Sequence, residues 1–184
     1  MSFIEDKPKY VPTVEGRSCG SCSMCCKVFK VPVLSKPAHK WCTHCTPGRG
    51  CGIWQTRPEF CRDYHCWYMT EAQLGDEWRP DRSKFIVNFR PEEGRFVVNV
   101  DSASPNAWRQ EPYFSTLKRI SGELLERKTY MQIIAGAKVI YLTPENETSI
   151  DKPSDPDTQV DLQLMVSLLP NGTSKRWFEA KVKI

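Results

Sequence analysis

Cysteine is the residue type that dominates the chemistry this sequence can perform. All nine cysteines of the 184-residue chain lie between Cys19 and Cys66, and none follows Cys66. A thiolate binds soft metal ions, and it also acts as a nucleophile or a redox group. Cysteines that merely fill a hydrophobic core would be spread along the chain. Their concentration therefore predicts one sulfur-rich region with a chemical role.

The spacing of these cysteines favours metal coordination. The first cluster is Cys19-x2-Cys22-x2-Cys25-Cys26, and the second is Cys42-x2-Cys45-x5-Cys51-x9-Cys61-x4-Cys66. Two residues between cysteines let one loop turn both sulfurs toward the same ion, a spacing typical of zinc and iron–sulfur sites. Because neighbouring side chains diverge, Cys25 and Cys26 are expected to serve different ions or different purposes.

The charge of this region is consistent with an anionic metal centre. Residues 17–66 carry eight basic and two acidic residues, a net charge of +6 within a chain of net +4. A zinc ion or an oxidised cubane cluster with four thiolates has a net charge of about −2, which these bases can offset. The alternative is a surface for nucleic acid or an anionic protein. Since the lysines form no stripe and no RNA-binding signature, nucleic acid is not the expected partner.

The second cluster continues into the segment Gly50-Cys51-Gly52-Ile53-Trp54-x2-Arg57-Pro58-x2-Cys61-Arg62-x-Tyr64-x-Cys66. Together with the first cluster, this pattern resembles the YkgJ-type cysteine-cluster family, described as a zinc- or iron-chelating domain, over about residues 18–67. The resemblance implies metal binding and no particular reaction. It implies eight ligands, which are Cys19, Cys22, Cys25, Cys26, Cys45, Cys51, Cys61 and Cys66. Cys42 is then an extra thiol.

The identity of the metal stays open between zinc and iron. Eight thiolates could close two tetrahedral zinc sites, or four could hold an iron–sulfur cubane while the others bind zinc or stay free. The cysteine–proline step of bacterial ferredoxins is absent, since Lys27 follows Cys26. His44 and His65 are less certain ligands. Arg57 and Arg62 flank Cys61, where they either donate to ligand sulfurs or form surface ion pairs with nearby acids.

The elements that must position this region divide the chain into three parts. We predict an N-terminal arm over residues 1–16, a loop-rich metal module over 17–79 with one short helix after Pro58, and an α+β domain over 80–184. Alternating apolar residues predict hairpins that pair 84–89 with 95–100, 130–134 with 138–142, and 160–168 with 176–182. Helical spacing of Phe114, Leu117, Ile120 and Leu124 predicts one main helix over about 112–127. Residues 143–159 are predicted to form a mobile loop.

Two further groups of residues have more than one interpretation. Four tryptophans in and just beyond the cysteine region could cover a metal site and exclude water: Trp41, Trp54, Trp67 and Trp78. The loop before the main helix contains Asp101, Trp108, Arg109 and Glu111, which either meet a ligand or pin the loop to the body.

Several functional classes are not supported by the sequence. The mean hydropathy is −0.50, and no apolar stretch reaches the length of about 18 residues that a membrane span needs. The first ten residues have no apolar signal segment, so we expect a cytoplasmic location. No phosphate loop, dinucleotide fingerprint, Ser–His–Asp set or zinc-protease motif is present, and whether the chain is an enzyme stays open.

Three functions remain as predictions. The first is a metal-binding protein that holds zinc or an iron–sulfur centre, with the C-terminal domain supporting it or recruiting a protein partner. The second is an iron–sulfur redox enzyme or electron carrier. The third is a zinc-stabilised interaction module for a protein or nucleic acid.

Overall fold

The computed structural model describes residues 12–90, 95–154 and 159–182, which form an α+β fold as predicted. The helices are α1 (Met24–Val28), α2 (Glu59–Asp63), α3 (Trp67–Thr70), α4 (Pro80–Ser83) and α5 (Tyr113–Glu126). The strands are β1 (Cys45–Thr46), β2 (Gly50–Cys51), β3 (Phe85–Arg90), β4 (Arg95–Val100), β5 (Tyr130–Ala135), β6 (Lys138–Leu142), β7 (Glu147–Asp151), β8 (Val160–Leu168) and β9 (Ser174–Val182). No helix among the described residues combines the length and apolar composition needed to cross a bilayer.

The main sheet has five strands in the order β3-β4-β5-β6-β7. The pairs β3/β4, β5/β6 and β6/β7 are antiparallel, whereas β4 and β5 are parallel. Parallel neighbours cannot be joined by a tight turn, and here α5 makes the crossover between them. The three predicted hairpins are confirmed, and the parallel pair in the centre of the sheet was not predicted.

Helix α5 covers one face of this sheet. Its residues Leu117, Ile120 and Leu124 are fully buried and share the main core with Phe96 and Met131 of the sheet. Burying an aliphatic side chain of this size stabilises a fold by about 1.5–3 kcal/mol. The predicted main helix is therefore confirmed, together with the apolar stripe that predicted it.

The opposite face of the same sheet holds the cysteine region at one end. Ile86 of β3 is 1% exposed and packs with Met24 and Val28 of α1. Because side chains alternate along a strand, Ile86 points away from the α5 core that takes Phe85 and Val87. The first cysteine cluster is therefore docked directly on the sheet.

Residues between the last cysteine and α4 belong to the main core. The ring of Trp67 lies 5.0 Å from that of Phe96, and the ring of Trp78 lies 5.8 Å from that of Phe85. Trp67 and Trp78 thus do not cover a metal site, because the apolar face of the sheet offers them a larger surface to bury. Whether residues 17–79 form a unit of their own stays a prediction.

The prediction of a loop over residues 143–159 is wrong for Glu147–Asp151. This segment forms β7, which pairs along its length with β6. Its Thr148 also donates a hydrogen bond from Oγ1 to the carbonyl of Phe178 in β9, at 2.6 Å. Polar edge strands are hard to recognise in a sequence because their outer face is solvated. Residues 155–158 lie outside the described part of the chain.

Most of the predicted N-terminal arm, residues 1–11, also lies outside the described residues. Within the part that is described, the backbone N–H of Val14 donates to the carbonyl of Met69 at 2.8 Å. The side chain of Arg17 donates to backbone carbonyls of the segment after α3, including that of Glu71 at 2.7 Å. The chain that enters the cysteine region is therefore fixed to the body.

Candidate metal centre

Eight of the nine cysteines line one cavity of about 300 Å³. All nine thiols are free, with no disulfide between any two. The eight lining cysteines are Cys19, Cys22, Cys25, Cys26, Cys42, Cys51, Cys61 and Cys66. Cys19 and Cys66, which lie far apart in the sequence, therefore meet at one cavity.

Two similar turns present the cysteines of each Cys-x2-Cys pair. The backbone N–H of Cys22 donates to the carbonyl of Cys19 at 2.8 Å, and that of Cys45 donates to Cys42 at 3.0 Å. In the first pair both cysteines line the cavity, whereas in the second pair Cys42 lines it and Cys45 does not. In the first turn Gly20 has φ +48, a conformation that glycine adopts without strain.

The two clusters are joined by backbone contacts. The N–H of Cys42 donates to the carbonyl of Cys26 at 2.9 Å, which ties the second loop to α1. Strands β1 and β2 then form a short hairpin whose register places Cys45 opposite Cys51. Cys42, Cys45 and Cys51 of the second cluster thereby lie beside Cys26, at the end of the first cluster.

Backbone N–H groups point at two of the sulfurs. The N–H groups of Tyr68 and Met69 lie beside the sulfur of Cys66, just before α3, and act against the rise in its pKa. Those of Met24 and Asp81 act in the same way on the pKa of Cys22. Such N–H donors favour the thiolate over the thiol, as expected around a metal-bound sulfur.

The thiols fall into two neighbouring groups. Cys19, Cys22 and Cys66 lie close enough to influence one another electrostatically, and we call them the first group. The second group consists of Cys26, Cys42, Cys45, Cys51 and Cys61, linked by the same kind of proximity. Cys25 and Cys26 connect the two groups, because they hydrogen-bond to each other and Cys26 also acts on Cys19. Cys25 packs against the same apolar cluster of Met24, Val28 and Ile86 as Cys22 and Cys66 do.

The contact between Cys25 and Cys26 corrects the expectation that these side chains diverge. Both residues line the cavity, and their thiols lie within hydrogen-bonding reach of each other. Cys45 is the one cysteine outside the cavity lining, yet it lies within hydrogen-bonding reach of Cys26. Cys42 is buried and lines the cavity, so the structure gives no reason to separate it from the other eight.

Burial keeps these thiols protonated when no metal is bound. Desolvation raises the pKa of Cys66 to about 12 and, with the help of nearby Cys26, that of Cys45 to about 11. Burial also raises the pKa of Cys19, Cys22 and Cys61 above the ordinary value of 9.0. A cation that binds here must displace protons, so its binding is coupled to pH.

Basic side chains surround the cavity. Arg79 donates to the carbonyl of Cys19 at 3.2 Å and to the hydroxyl of Ser21 at 2.9 Å. The guanidinium of Arg57 lies 3.5 Å from the ring centre of Trp54, and its buried Nε has no hydrogen-bond partner among the described residues. Arg57 can therefore donate to a thiolate or to a group bound beside one.

The remaining predicted residues differ in their relation to the cavity. Arg62 is exposed and forms a surface ion pair with Asp63 at 3.4 Å, which is the second of its two interpretations. His65 is exposed at the edge of the cavity, and His44 is exposed and does not line it. Neither histidine is placed as a better ligand than the cysteines.

The loop before α5 holds structural contacts. Asp101 pairs with Lys27, Trp108 is buried in the core, and Arg109 pairs with Glu147 at 2.5 Å. Glu111 accepts a hydrogen bond from the hydroxyl of Ser115 at 2.6 Å. These contacts support the interpretation that the loop is pinned to the body.

The donor set fits thiolate-bound metal by its chemistry. In the described part of the chain, no three or more His, Cys, Asp or Glu side chains already have the geometry of a metal site. The cysteines that line the cavity have N–H donors and basic groups beside them. Free thiols with such neighbours suit zinc and iron–sulfur clusters, both of which prefer sulfur.

Comparison with known proteins finds no matching family model, no similar curated protein and no similar solved structure.

Proposed function

We propose that this chain is a metal-binding protein whose cysteine region coordinates zinc or an iron–sulfur centre. The observation that carries the proposal is the cavity lined by eight free thiols from both clusters. Free thiols are seldom gathered in this number for packing alone, and their thiolates are strong ligands for these metals. Membership of the YkgJ-type family and a cytoplasmic location are parts of the same proposal, since reduced cysteines persist in a reducing compartment.

Metal binding would supply folding energy to a region that has few other sources of it. The helices that carry cysteines are only five residues long, and β1 and β2 have two residues each. Elements this short are not stable by themselves. Ligation would hold the loops together by sulfur–metal bonds, and removing the metal would loosen them.

Elemental analysis and an absorption spectrum of freshly purified, anaerobic protein test this proposal. Stoichiometric zinc in colourless protein, or iron with sulfide in brown protein, would support it. Cysteine variants sharpen the test, because Cys22→Ala and Cys61→Ala should each lower the metal content. Protein that folds fully without either metal would overturn the proposal.

A redox role with an iron–sulfur cluster is the second candidate, and the cavity has room for it. Its volume of about 300 Å³ suits a cluster of several atoms as well as separate zinc ions. Trp54 and Phe60 at the cavity are 46% and 48% exposed, which leaves a short path to solvent. A reversible one-electron signal from the purified protein would support this candidate, and zinc as the bound metal would remove it.

An interaction with a protein partner is supported by the β8–β9 hairpin of the C-terminal part. Its base packs on the sheet through Phe178, whereas Val166 and Leu168 near its turn are 59% and 82% exposed. Exposed apolar side chains on neighbouring positions of one strand face often contact other proteins. A protein that is pulled down by the wild-type chain and not by Leu168→Asp would identify this surface.

A further inference from the structure

Lys36 is a buried lysine without an acidic partner. It is 5% exposed and lines the cysteine cavity. No carboxylate among the described residues forms an ion pair with it, whereas the neighbouring Lys27 pairs with Asp101. Lysine is almost never buried to this extent unless its charge is compensated. If Lys36 is to remain an ammonium, the compensating charge comes from something other than a carboxylate of the described residues.

A tight backbone turn holds Lys36 in place. Val31 and Lys36 exchange backbone hydrogen bonds of 2.9 and 3.1 Å around the helical turn Pro32–Leu34. The side-chain Nζ donates to the carbonyl of Lys27 at 2.9 Å and also to the carbonyl of Phe29. An ammonium has three donors, and these two carbonyls fix its position without neutralising its charge.

The groups that face this ammonium are thiols. Burial lowers the pKa of Lys36, and the nearby sulfurs of Cys26, Cys42, Cys25 and Cys61 act against that shift. All four cysteines line the same cavity as Lys36. Neutral thiols would leave the lysine uncompensated. Thiolates bound to a metal carry the negative charge that is missing, since four of them around zinc give a centre of about −2.

We propose that Lys36 is the fixed counter-ion of an anionic metal–thiolate centre built from Cys25 and the second group of thiols. The inference rests on the proposed metal binding and adds the residue that balances its charge. At short range in a partly desolvated site, one such cation favours an anionic set of thiolates over the same ligands protonated. Metal binding should therefore depend on the charge of Lys36.

The alternative is a structural role at the end of α1. The carbonyls that Lys36 contacts belong to the last turn of this helix and its C-cap, where lysine commonly acts as a cap. A cap stabilises the fold with or without metal. A counter-ion acts mainly on the metal-loaded protein, and this difference separates the two roles.

The experiment compares Lys36→Met with Lys30→Met, a matched variant that removes an exposed charge from the same segment. Zinc is the probe: its dissociation constant is measured by competition with a chelator, and the melting temperature is measured with zinc and with excess chelator. We expect Lys36→Met to bind zinc at least about tenfold more weakly and to gain less melting temperature from zinc. Lys30→Met should stay within about twofold of wild type, because its charge is exposed and screened by solvent.

Several results would overturn the inference. Equal losses of melting temperature with and without zinc, at unchanged affinity, would make Lys36 a helix cap. An equal loss in Lys30→Met would reduce its role to general charge. If Lys36→Met does not fold, Lys36→Gln takes its place, because its amide can still donate to one carbonyl while the charge is removed. Unchanged zinc affinity in Lys36→Gln would likewise contradict the inference. A wild-type protein that binds neither zinc nor iron would instead remove the proposed function itself.

Discussion

Lys27 and Asp101 form an ion pair of 2.7 Å that ties α1 to the loop beyond β4. The side chain of Asp101 is 5% exposed, and it also accepts a hydrogen bond from the N–H of Ala103 at 3.1 Å. Lys27 directly follows the cysteine pair Cys25 and Cys26. A buried carboxylate of the α+β part therefore holds the helix that carries the first cysteine cluster.

Replacing Asp101 by Ala should lower the free energy of unfolding by about 3 kcal/mol. The change leaves the ammonium of Lys27 partly buried without its partner, which is the costly way to break an ion pair. Urea unfolding measures the loss. Asp151→Ala is the matched control, because Asp151 pairs with Lys138 at 2.8 Å on the surface and should cost no more than about 1 kcal/mol. Similar losses in both variants would show that Asp101 has no special role.

Replacing Ile86 by Ala should affect both stability and metal content. Ile86 is the sheet residue against which Met24 and Val28 pack, and removing its side chain should cost about 2–5 kcal/mol. Because the first cysteine cluster rests on this contact, the folded variant should also hold metal less tightly. Ile133→Ala on the opposite face of the sheet should cost a similar amount and leave metal binding unchanged. Unaltered affinity in Ile86→Ala would separate the docking of α1 from the metal site.

Replacing Cys42 by Ala tests the eight-ligand pattern that the sequence resemblance implies. That pattern treats Cys42 as extra, and the change would then be mild. In the structure Cys42 is 8% exposed, lines the cavity and lies beside Cys26 and Cys61. We expect Cys42→Ala to lose as much metal as Cys61→Ala, measured by elemental analysis of protein purified in parallel. Full loading of Cys42→Ala would return this cysteine to the role of a spare thiol.

The stability of the metal-free protein should fall as the pH rises above about 9. Burial raises the pKa of Cys66 from 9.0 to about 12 and that of Cys45 to about 11, so the folded state holds these protons more tightly than the unfolded chain does. The stability that these protons contribute is complete below pH 9 and is lost as the pH approaches the folded pKa values. The loss is up to about 1.4 kcal/mol per pH unit for Cys66, and it is smaller for Cys45, which solvent screens more.

Urea unfolding in the presence of chelator and reductant, at a series of pH values from about 8 upward, measures this loss. Cys66→Ala should show a shallower dependence, since it lacks one of the titrating groups. Metal-loaded protein should not show the same fall, because bound thiolates carry no proton to lose. Identical slopes for wild type and Cys66→Ala would contradict the assigned cause.

The sequence predicts the elements whose pattern is local. Helix α5 follows from the spacing of Leu117, Ile120 and Leu124, and the hairpins follow from alternation on either side of a turn. Strand β7 has only one apolar residue, Ile150, so its pairing with β6 depends on tertiary contacts. The parallel pairing of β4 and β5 likewise depends on how α5 packs and is not encoded by either strand alone.

For the candidate site, the spacing of the cysteines predicts where the sulfurs meet and not what surrounds them. Arg79 lies beyond the last cysteine and reaches back to Cys19, a contact that no local pattern predicts. Lys36 is one of several lysines in its segment, and its burial is set by the turn at Pro32–Leu34. A lysine within a cysteine-rich segment and close to a proline turn is a weak signal that could have drawn attention to it.

The central claim is that the sulfurs of this region converge on a metal, and X-ray absorption at the edge of the bound metal tests it most directly. The account predicts a first coordination shell made of sulfur, at about 2.3 Å if the metal is zinc. A shell of nitrogen and oxygen atoms, or a protein that contains no metal in its folded state, would contradict it.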